Sequence, residues 1–274
     1  MNQSSPYVNP TYNPCLCQTC LPRIIAAMRL TKEFRDQFSQ HEMRTHGRKN
    51  GFVTTGQEAR LSKWLPIIGL SKTMTLNDAK IPDDSPIVME IGFGNGDFLV
   101  QLASHHPDWT LIGVEIYLPG VAKAVGRLED AGLIEQTRIT QLPAQFVLQN
   151  QVKEAQLDGI VVNHPDPWPK ARHHKRRIIQ KDFAQLMVSR LKPGGFIQLA
   201  SDVNELAEWM REILDATPGL TNVAGKVGYI DRDEDRVLTK FEQRGIREGR
   251  TSQFLHYIKT DTSDKPVTGR DNES

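Results

Sequence analysis

Cysteine is scarce in this chain and confined to its beginning. Among 274 residues there are three cysteines, Cys15, Cys17 and Cys20. An odd, tightly bunched set is a poor disulfide framework, and strong zinc signatures use two separated pairs. We therefore predict free thiols and no metal site. The alternative is a metal ion that these thiols hold together with His41 or His46.

Long apolar runs and an excess of either charge are also missing. No apolar stretch approaches the roughly 20 residues of a membrane-spanning helix. The first apolar patch, residues 24–28, is too short for a secretory signal. The formal net charge is only +1, so attraction to nucleic acid must come from local clusters of cations. These absences predict a cytoplasmic protein without a membrane partner.

The composition allows one folded domain with an extension at each end. Hydrophobic residues make up 38% of the chain, which is enough for one core. Repeated prolines among Asn, Ser and Gln predict that a leader, residues 1–50, is disordered to about Leu21 and then helical over Pro22–Phe38. We predict a folded domain over residues 51–260 and a disordered tail over residues 261–274.

From residue 86 onwards, short apolar strands alternate with helices. This alternation is typical of a mostly parallel sheet with helices on both faces, so we predict an α/β, Rossmann-like fold. A polar linker, residues 71–85, precedes the sheet, and Lys192–Gly195 reads as a sharp turn before the last strand. The predicted strands are Ile87–Ile91, Leu111–Ile116, Thr137–Gln141, Leu157–Val162 and Phe196–Ala200, and the predicted helices start at about Thr55 and cover Phe98–Ala103, Val121–Ala131, Lys181–Leu191 and Glu205–Ala216.

A glycine-rich loop follows the first predicted strand. Gly92, Gly94 and Gly96 have the spacing G-x-G-x-G, which differs from the dinucleotide pattern G-x-G-x-x-G. Glycine permits a tight turn and close approach of a ligand to the backbone. Glu90 ends the first strand, and Glu115 ends the second, where a carboxylate can accept both ribose hydroxyls. The spacing favours S-adenosylmethionine over NAD. The alternative is that the glycines only turn the chain and that Glu115 is a solvated strand end.

Asp166 lies between two prolines and is followed by a run of cations. Prolines restrict the backbone on both sides, so the Asp166 carboxylate is held on a stiff loop. The cations that follow can neutralise the phosphates of an RNA partner, although such a run can also be a solvated face. Trp168 either stacks near a base or anchors the loop. The predicted RNA contacts are Arg172, His173, His174, Lys175, Arg176 and Arg177.

With these motifs the chain resembles the bacterial tRNA (guanine-N7-)-methyltransferases. The resemblance covers about residues 51–257 and depends most on Pro165–Trp168 and on Leu238–Gly245, which reads L-T-K-F-E-Q-R-G. It implies the class I methyltransferase fold, S-adenosylmethionine as cofactor and tRNA as partner. The implied reaction is methyl transfer to N7 of a guanine in the variable loop of tRNA. The protein is expected to be a monomer or a homodimer.

The resemblance also implies roles for individual residues. Asp166 would be the catalytic acid and would lie near the cofactor. From the residues themselves, Lys240 and Arg244, which flank Phe241 and Glu242, are read as a late loop that folds back over the site, with a structural ion pair as the alternative. The implied cofactor-binding residues are Glu90, Gly92, Gly94, Gly96, Glu115 and Asp166, and the implied substrate-binding residues are Lys170, Asp202, Thr239, Lys240, Phe241 and Glu242.

Two positions depart from the family pattern. Many members carry two bulky apolar residues where this chain has Asn163 and His164 before the Pro165–Trp168 element. Many carry Asp or Asn where this chain has Pro143-Ala144, so a nearby backbone group must serve the adenine amino group. Two other functions stay open. One is a diverged paralogue that methylates another RNA or a small molecule, and the other is a non-catalytic RNA-binding protein.

Overall fold

A seven-stranded sheet carries the fold in the computed structural model, which describes residues 52–234 and 236–260. The strands are β1 (Ile87–Ile91), β2 (Thr110–Val114), β3 (Thr137–Thr140), β4 (Leu157–Asn163), β5 (Leu191–Ser201), β6 (Leu220–Asn222) and β7 (Gln253–Lys259). Their order across the sheet is β3-β2-β1-β4-β5-β7-β6. Strands β1 to β5 are parallel, and β7 runs antiparallel to both of its neighbours.

Helices cover both faces of this sheet. They are α1 (Thr55–Ile68), α2 (Asp97–His105), α3 (Leu118–Asp130), α4 (Ala144–Asn150), α5 (Lys181–Arg190), α6 (Asn204–Asp215) and α7 (Lys240–Arg247). Short 3-10 helices occupy Leu76–Ala79, Ala171–Arg176 and Gly225–Val227. The core on one face is formed with α1, α2 and α3, and the core on the other with α4, α5 and α6.

The central strands are mostly apolar because both of their faces are covered. In β1, Ile87, Met89 and Ile91 pack on the side of α4 to α6, whereas Val88 packs on the side of α1 to α3. Every residue of β1 is buried, including Glu90 at its carboxyl end. The only ionisable side chain of the strand therefore stands where parallel strands of this fold type bind ligands.

The predicted Rossmann-like sheet is confirmed, and the structure corrects some of its elements. Lys192–Gly195 is part of β5, where the register against β4 shifts between the pairs Leu157–Leu191 and Gly159–Phe196. Gly194 has φ +76°, so the predicted turn survives as an irregularity inside the strand. Helix α5 ends at Arg190 rather than Leu191. Helix α4 and strands β6 and β7 carry no strong sequence signal and were not predicted.

Some predictions fall outside the described residues. These are the disordered leader with its helix and cysteines, and the tail over residues 261–274. Within the described ranges, no helix combines the length and the apolar character that crossing a membrane requires.

The carboxyl ends of β1, β2, β4 and β5 meet at one edge of the sheet because these strands are parallel. Glu90 is in register with Val161, and side chains alternate along a strand. Glu90 and Asn163 therefore project from the same face of neighbouring strands. This register brings together two polar residues that are far apart in the sequence.

Candidate active site

The loop after β1 consists of glycines in the left-handed conformation. Gly92, Gly94 and Gly96 have φ values of +76°, +58° and +77°. A Cβ on Gly96 would lie 2.6 Å from the Cβ of Ala124 on α3, so this glycine lets the loop pack. An added Cβ at Gly92 or Gly94 would meet nothing within 4 Å. These two positions leave room for a ligand beside the backbone.

Glu115, directly after β2, fixes this loop. It is 8% exposed, and its two carboxylate oxygens accept hydrogen bonds from Gly94 N at 2.9 Å and Tyr117 N at 2.8 Å. Burial raises the pKa of Glu115, these backbone hydrogen bonds oppose the rise, and the charge of Asp166 adds to it. Glu115 is therefore not a solvated strand end. Each of its oxygens retains capacity to accept a ribose hydroxyl.

Glu90 is a deeply buried acid of the site, with 2% exposure. Burial raises its pKa to about 7, against the hydrogen bond from Asn163 and the charge of Arg236, which lower it. Asn163 Nδ2 donates to Glu90 Oε1 at 3.3 Å. The other oxygen, Oε2, is buried without a hydrogen-bond partner among the described residues. A buried acceptor without a donor is costly, so Oε2 is positioned to receive one from a ligand.

A cleft lies over the glycine loop and is covered from the other side by the start of α7. Phe241, which is 58% exposed, projects at its rim. The residues that line the cleft are Glu90, Gly92, Phe93, Gly94, Asn95, Asp97, Phe98, Asn163, His164, Thr239, Lys240 and Phe241.

The loop that carries Asp166 is anchored by Trp168. Trp168 is 7% exposed, and the Arg176 guanidinium lies 4.9 Å from the centre of its ring. His173 meets the same ring edge-on at 5.8 Å. The burial of Trp168 favours the loop anchor over a partner for base stacking. Asp166 itself is half-buried, and its charge reaches Glu115.

The burial of Arg177 speaks against its predicted contact with RNA. It is 3% exposed, donates from Nε to Pro167 O at 3.0 Å, and donates from Nη2 to Glu205 Oε1 at 2.7 Å. A buried guanidinium held in this way supports the Asp166 loop and offers no surface to RNA. Nothing in its sequence position distinguishes Arg177 from its neighbours.

The other members of the cationic run differ in exposure. Arg172 and Lys175 are exposed, as is Lys170 just before them. His173, His174 and Arg176 are half-buried, and His174 Nε2 lies 3.3 Å from Glu205 Oε1. The accessible positive charge therefore comes mainly from Lys170, Arg172 and Lys175.

The segment predicted as a late loop is helix α7. Its Thr239 hydroxyl accepts from Glu242 N at 3.2 Å, and Glu242 Oε2 accepts from Thr239 N at 3.0 Å, which is a capping box. A Cβ on Gly245 would lie 2.7 Å from Asp202 Oδ2, so glycine allows α7 to approach the end of β5. Arg244 forms an ion pair with Glu248 at 2.8 Å, which agrees with the alternative that this residue makes a structural ion pair.

Arg236 is a functional candidate that the sequence did not reveal. Its Nη2 donates to Asn163 Oδ1 at 2.7 Å, and its Nε lies 3.4 Å from Glu242 Oε1. The guanidinium also stacks over the ring of Phe98 at 4.2 Å. Arg236 thus links the end of β4, beside Glu90, to the buried acid of α7.

The structure brings most of the predicted site residues to one edge of the sheet. Glu90, the glycine loop, Thr239, Lys240 and Phe241 share the cleft, and Asp202 and Glu242 lie behind it around His164. Lys170 lies at the surface, at the start of the 3-10 helix Ala171–Arg176.

The sheet, the glycine loop and the acid after β2 define the class of Rossmann-like methyltransferases that use S-adenosylmethionine. Residues 84–255 match the model of a family described as "Putative methyltransferase". The crystal structure of the 16S rRNA methyltransferase KamB superposes with a TM-score of 0.51 at 10% identity, over 70% of this chain and 97% of that one. At this identity the likeness shows the fold alone.

Curated relatives narrow the class to a family. A tRNA (guanine-N(7)-)-methyltransferase of Yersinia pestis (strain Pestoides F) is 39% identical over 209 residues, which are 76% of this chain and 87% of the relative. One of Aromatoleum aromaticum is 40% identical over 215 residues, 78% of this chain and 82% of the relative. The chain belongs to the family of the tRNA (guanine-N(7)-)-methyltransferases.

Proposed function

We propose that this protein transfers the methyl group of S-adenosylmethionine to N7 of a guanine in the variable loop of tRNA, in the cytoplasm. Family membership supports the reaction and the tRNA substrate. The observation that carries the site assignment is the convergence of Glu90, Glu115 and Asp166 at the carboxyl edge of the sheet, beside an accessible cationic surface.

The residues of the cleft, together with Glu115, which accepts a hydrogen bond from Gly94 of the glycine loop, fit S-adenosylmethionine. Gly92 and Gly94 leave open space beside their backbone, where the cofactor can lie against the chain. Glu115 has acceptor capacity for the ribose hydroxyls, and the unpaired Oε2 of Glu90 can accept from the cationic amino group of the methionine moiety. Bound there, the cofactor supplies an electrophilic methyl group on a sulfonium.

No general base is needed for this reaction. Guanine N7 carries an in-plane lone pair and no proton, so the protein has to align the nucleophile with the methyl group, which is catalysis by positioning. Helix α7 and the Asp166 loop are far apart along the chain, and both reach the same edge of the sheet. We assign the placement of the base to these two elements.

The carboxylate of Asp166 stabilises the positive charge that develops on the base. The product guanine is cationic, so a fixed carboxylate stabilises the transition state more than the ground state, by about 2–4 kcal/mol in comparable preorganised sites. Its alternative role is to accept hydrogen bonds from the guanine N1–H and amino group. The buried Trp168 and Arg177 hold the loop so that the carboxylate has little freedom to move away.

The cationic surface formed by Lys170, Arg172 and Lys175 lies beside this loop and would contact the phosphates of tRNA. A partner that is bound through phosphates is released by salt because counterions compete. The position of these exposed cations supports an RNA substrate over a small molecule.

The proposal is tested by incubating the full chain with labelled S-adenosylmethionine and unmodified tRNA, followed by nucleoside analysis. We expect 7-methylguanosine in the variable loop.

Asp166→Ala should abolish transfer with tRNA affinity nearly unchanged, and the exposed Asp83→Asn serves as a control. Asp166→Asn separates the two roles, because asparagine keeps an acceptor and removes the charge. Full activity of Asp166→Ala would refute the assignment, and a different methylated product would favour the diverged paralogue.

A further inference from the structure

His164 occupies an unusual position between two carboxylates. Its side chain is 3% exposed, with Nδ1 3.5 Å from Asp202 Oδ1 and Nε2 3.8 Å from Glu242 Oε2. Neither ring nitrogen has a hydrogen-bond partner among the residues that the structure describes. A buried imidazole with both nitrogens unpaired is costly, so this arrangement calls for a compensating interaction.

The two carboxylates are fixed on their other sides by arginines. Arg250 donates from Nε to Asp202 Oδ2 at 2.9 Å, and Arg236 Nε lies 3.4 Å from Glu242 Oε1. Burial would raise the pKa of Glu242, but contact with His164, the charge of Arg236 and the hydrogen bonds of Thr239 hold it at about 2. Glu242 is therefore ionised at neutral pH and presents an oxygen to the ring.

The backbone at His164 is also constrained. Its φ is +48°, a left-handed value that few residues other than glycine adopt, although histidine does so more readily than most. His164 N donates to Ala200 O at 2.8 Å, which ties this turn to β5. The turn aims the ring between Asp202, directly after β5, and Glu242 on helix α7. Strained residues of this kind concentrate at functional sites.

We infer that His164 is a positioning residue that links Asp202 to Glu242 and thereby fixes α7 over the substrate. The distances of 3.5 and 3.8 Å exceed those of good hydrogen bonds, and a small approach of α7, which carries Glu242, would close the longer one. Each ring nitrogen faces one of the two carboxylates, and an imidazole N–H is a donor to a carboxylate oxygen. The inference rests on the proposed function and deepens it, because helix α7 is assigned there to the placement of the base.

Three substitutions separate the two contacts. His164→Phe keeps an aromatic ring and removes both nitrogens. His164→Asn retains an amide close to the Nδ1 position, which faces Asp202, and His164→Gln retains one close to the Nε2 position, which faces Glu242. Each amide variant should therefore restore part of the function that the phenylalanine variant loses.

Methyl-transfer kinetics with tRNA and binding of S-adenosylhomocysteine measure the effect. We expect His164→Phe to raise the KM for tRNA about tenfold, the equivalent of one net hydrogen bond to a charged group, with kcat changed less. His164 is among the residues that line the cleft, but its side chain is 3% exposed and faces Asp202 and Glu242. The dissociation constant for S-adenosylhomocysteine should therefore change less than the KM for tRNA. Hydrogen exchange of residues 236–247 should become faster, while that of residues 87–115 should not.

The readouts distinguish failure of this inference from failure of the proposed function. Absence of 7-methylguanosine with the unmodified chain contradicts the function, and hydrogen exchange then still tests whether His164 holds α7. Unchanged KM and unchanged exchange in His164→Phe would overturn the inference. If His164→Phe unfolds, the test passes to His164→Asn and His164→Gln. Wild-type KM and wild-type hydrogen exchange in both of these variants would also overturn the inference. A raised KM with faster exchange in either variant would support it.

Discussion

Glu90 allows a prediction in which stability and function move in opposite directions. Its carboxyl group is 2% exposed, and burial raises its pKa from 4.5 to about 7. The folded state therefore prefers the protonated acid, while the unfolded state releases the proton at lower pH. The resulting cost is absent below the unfolded pKa and grows as the pH rises from 4.5 to 7. At about pH 8 it is fully present.

The size of this cost follows from the two pKa values. At about 1.4 kcal/mol per pKa unit, the difference corresponds to about 3 kcal/mol. Glu90→Gln removes the charge and keeps an acceptor for the Asn163 amide, but it places a buried amide donor where Oε2 has no hydrogen-bond partner among the described residues. We therefore expect a smaller gain in the free energy of unfolding, about 1–2 kcal/mol at pH 8, which is typical of removing an unfavourable buried charge.

Urea unfolding at pH 8 and at pH 5 measures the prediction, with Glu212→Gln on the exposed side of α6 as the control. Glu90→Gln should be more stable than wild type at pH 8, and the difference should shrink towards pH 5. The same variant should lose most of its affinity for S-adenosylmethionine. A variant that is no more stable at pH 8, or equally stabilised at both pH values, would refute the reasoning.

Two further predictions concern the cations near the Asp166 loop. Arg172→Ala with Lys175→Ala should flatten the salt dependence of tRNA binding by about 0.7–0.9 log units per log unit of salt for each phosphate that is no longer neutralised. The control is the exposed pair Lys123 and Lys153, each changed to Ala. An equal slope in both double variants would show that the run is only a solvated face. Arg177→Ala should lower the free energy of unfolding by about 2–4 kcal/mol in thermal or urea unfolding, because it leaves Pro167 O without its donor. A change below about 0.5 kcal/mol, as expected of a surface site, would contradict the structural role of Arg177.

Local sequence rules accounted for the site elements that are built from consecutive residues. The glycine loop was predictable because left-handed φ values at Gly92, Gly94 and Gly96 favour glycine. The place of Glu115 at the end of β2 followed from the strand pattern. The prolines around Asp166 indicated a stiff loop. Each of these features depends on a few neighbouring residues.

The same rules failed where a residue's role depends on distant partners. Arg177 looked like the other cations of its run, but its burial against Pro167 and Glu205 sets it apart. The late T-K-F-E-Q-R-G stretch was expected to be a loop. Its helix start carries a local signal, since Thr239 and Glu242 have the spacing of a capping box. Only the approach of Gly245 to Asp202 depends on distant partners.

The sequence by itself determined most of the alternating strands and helices, the glycine turn and the place of the acids at strand ends, because hydrophobic alternation and backbone restrictions act within about ten residues. Only the tertiary structure decided which of the acids are buried and with which cations they pair. Asn163 and Arg236 are 73 positions apart and meet through a hydrogen bond, and His164 lies between an acid that follows β5 and an acid of α7. Pairings of this kind depend on how the sheet edge packs against the last helix, and no local sequence pattern encodes that packing.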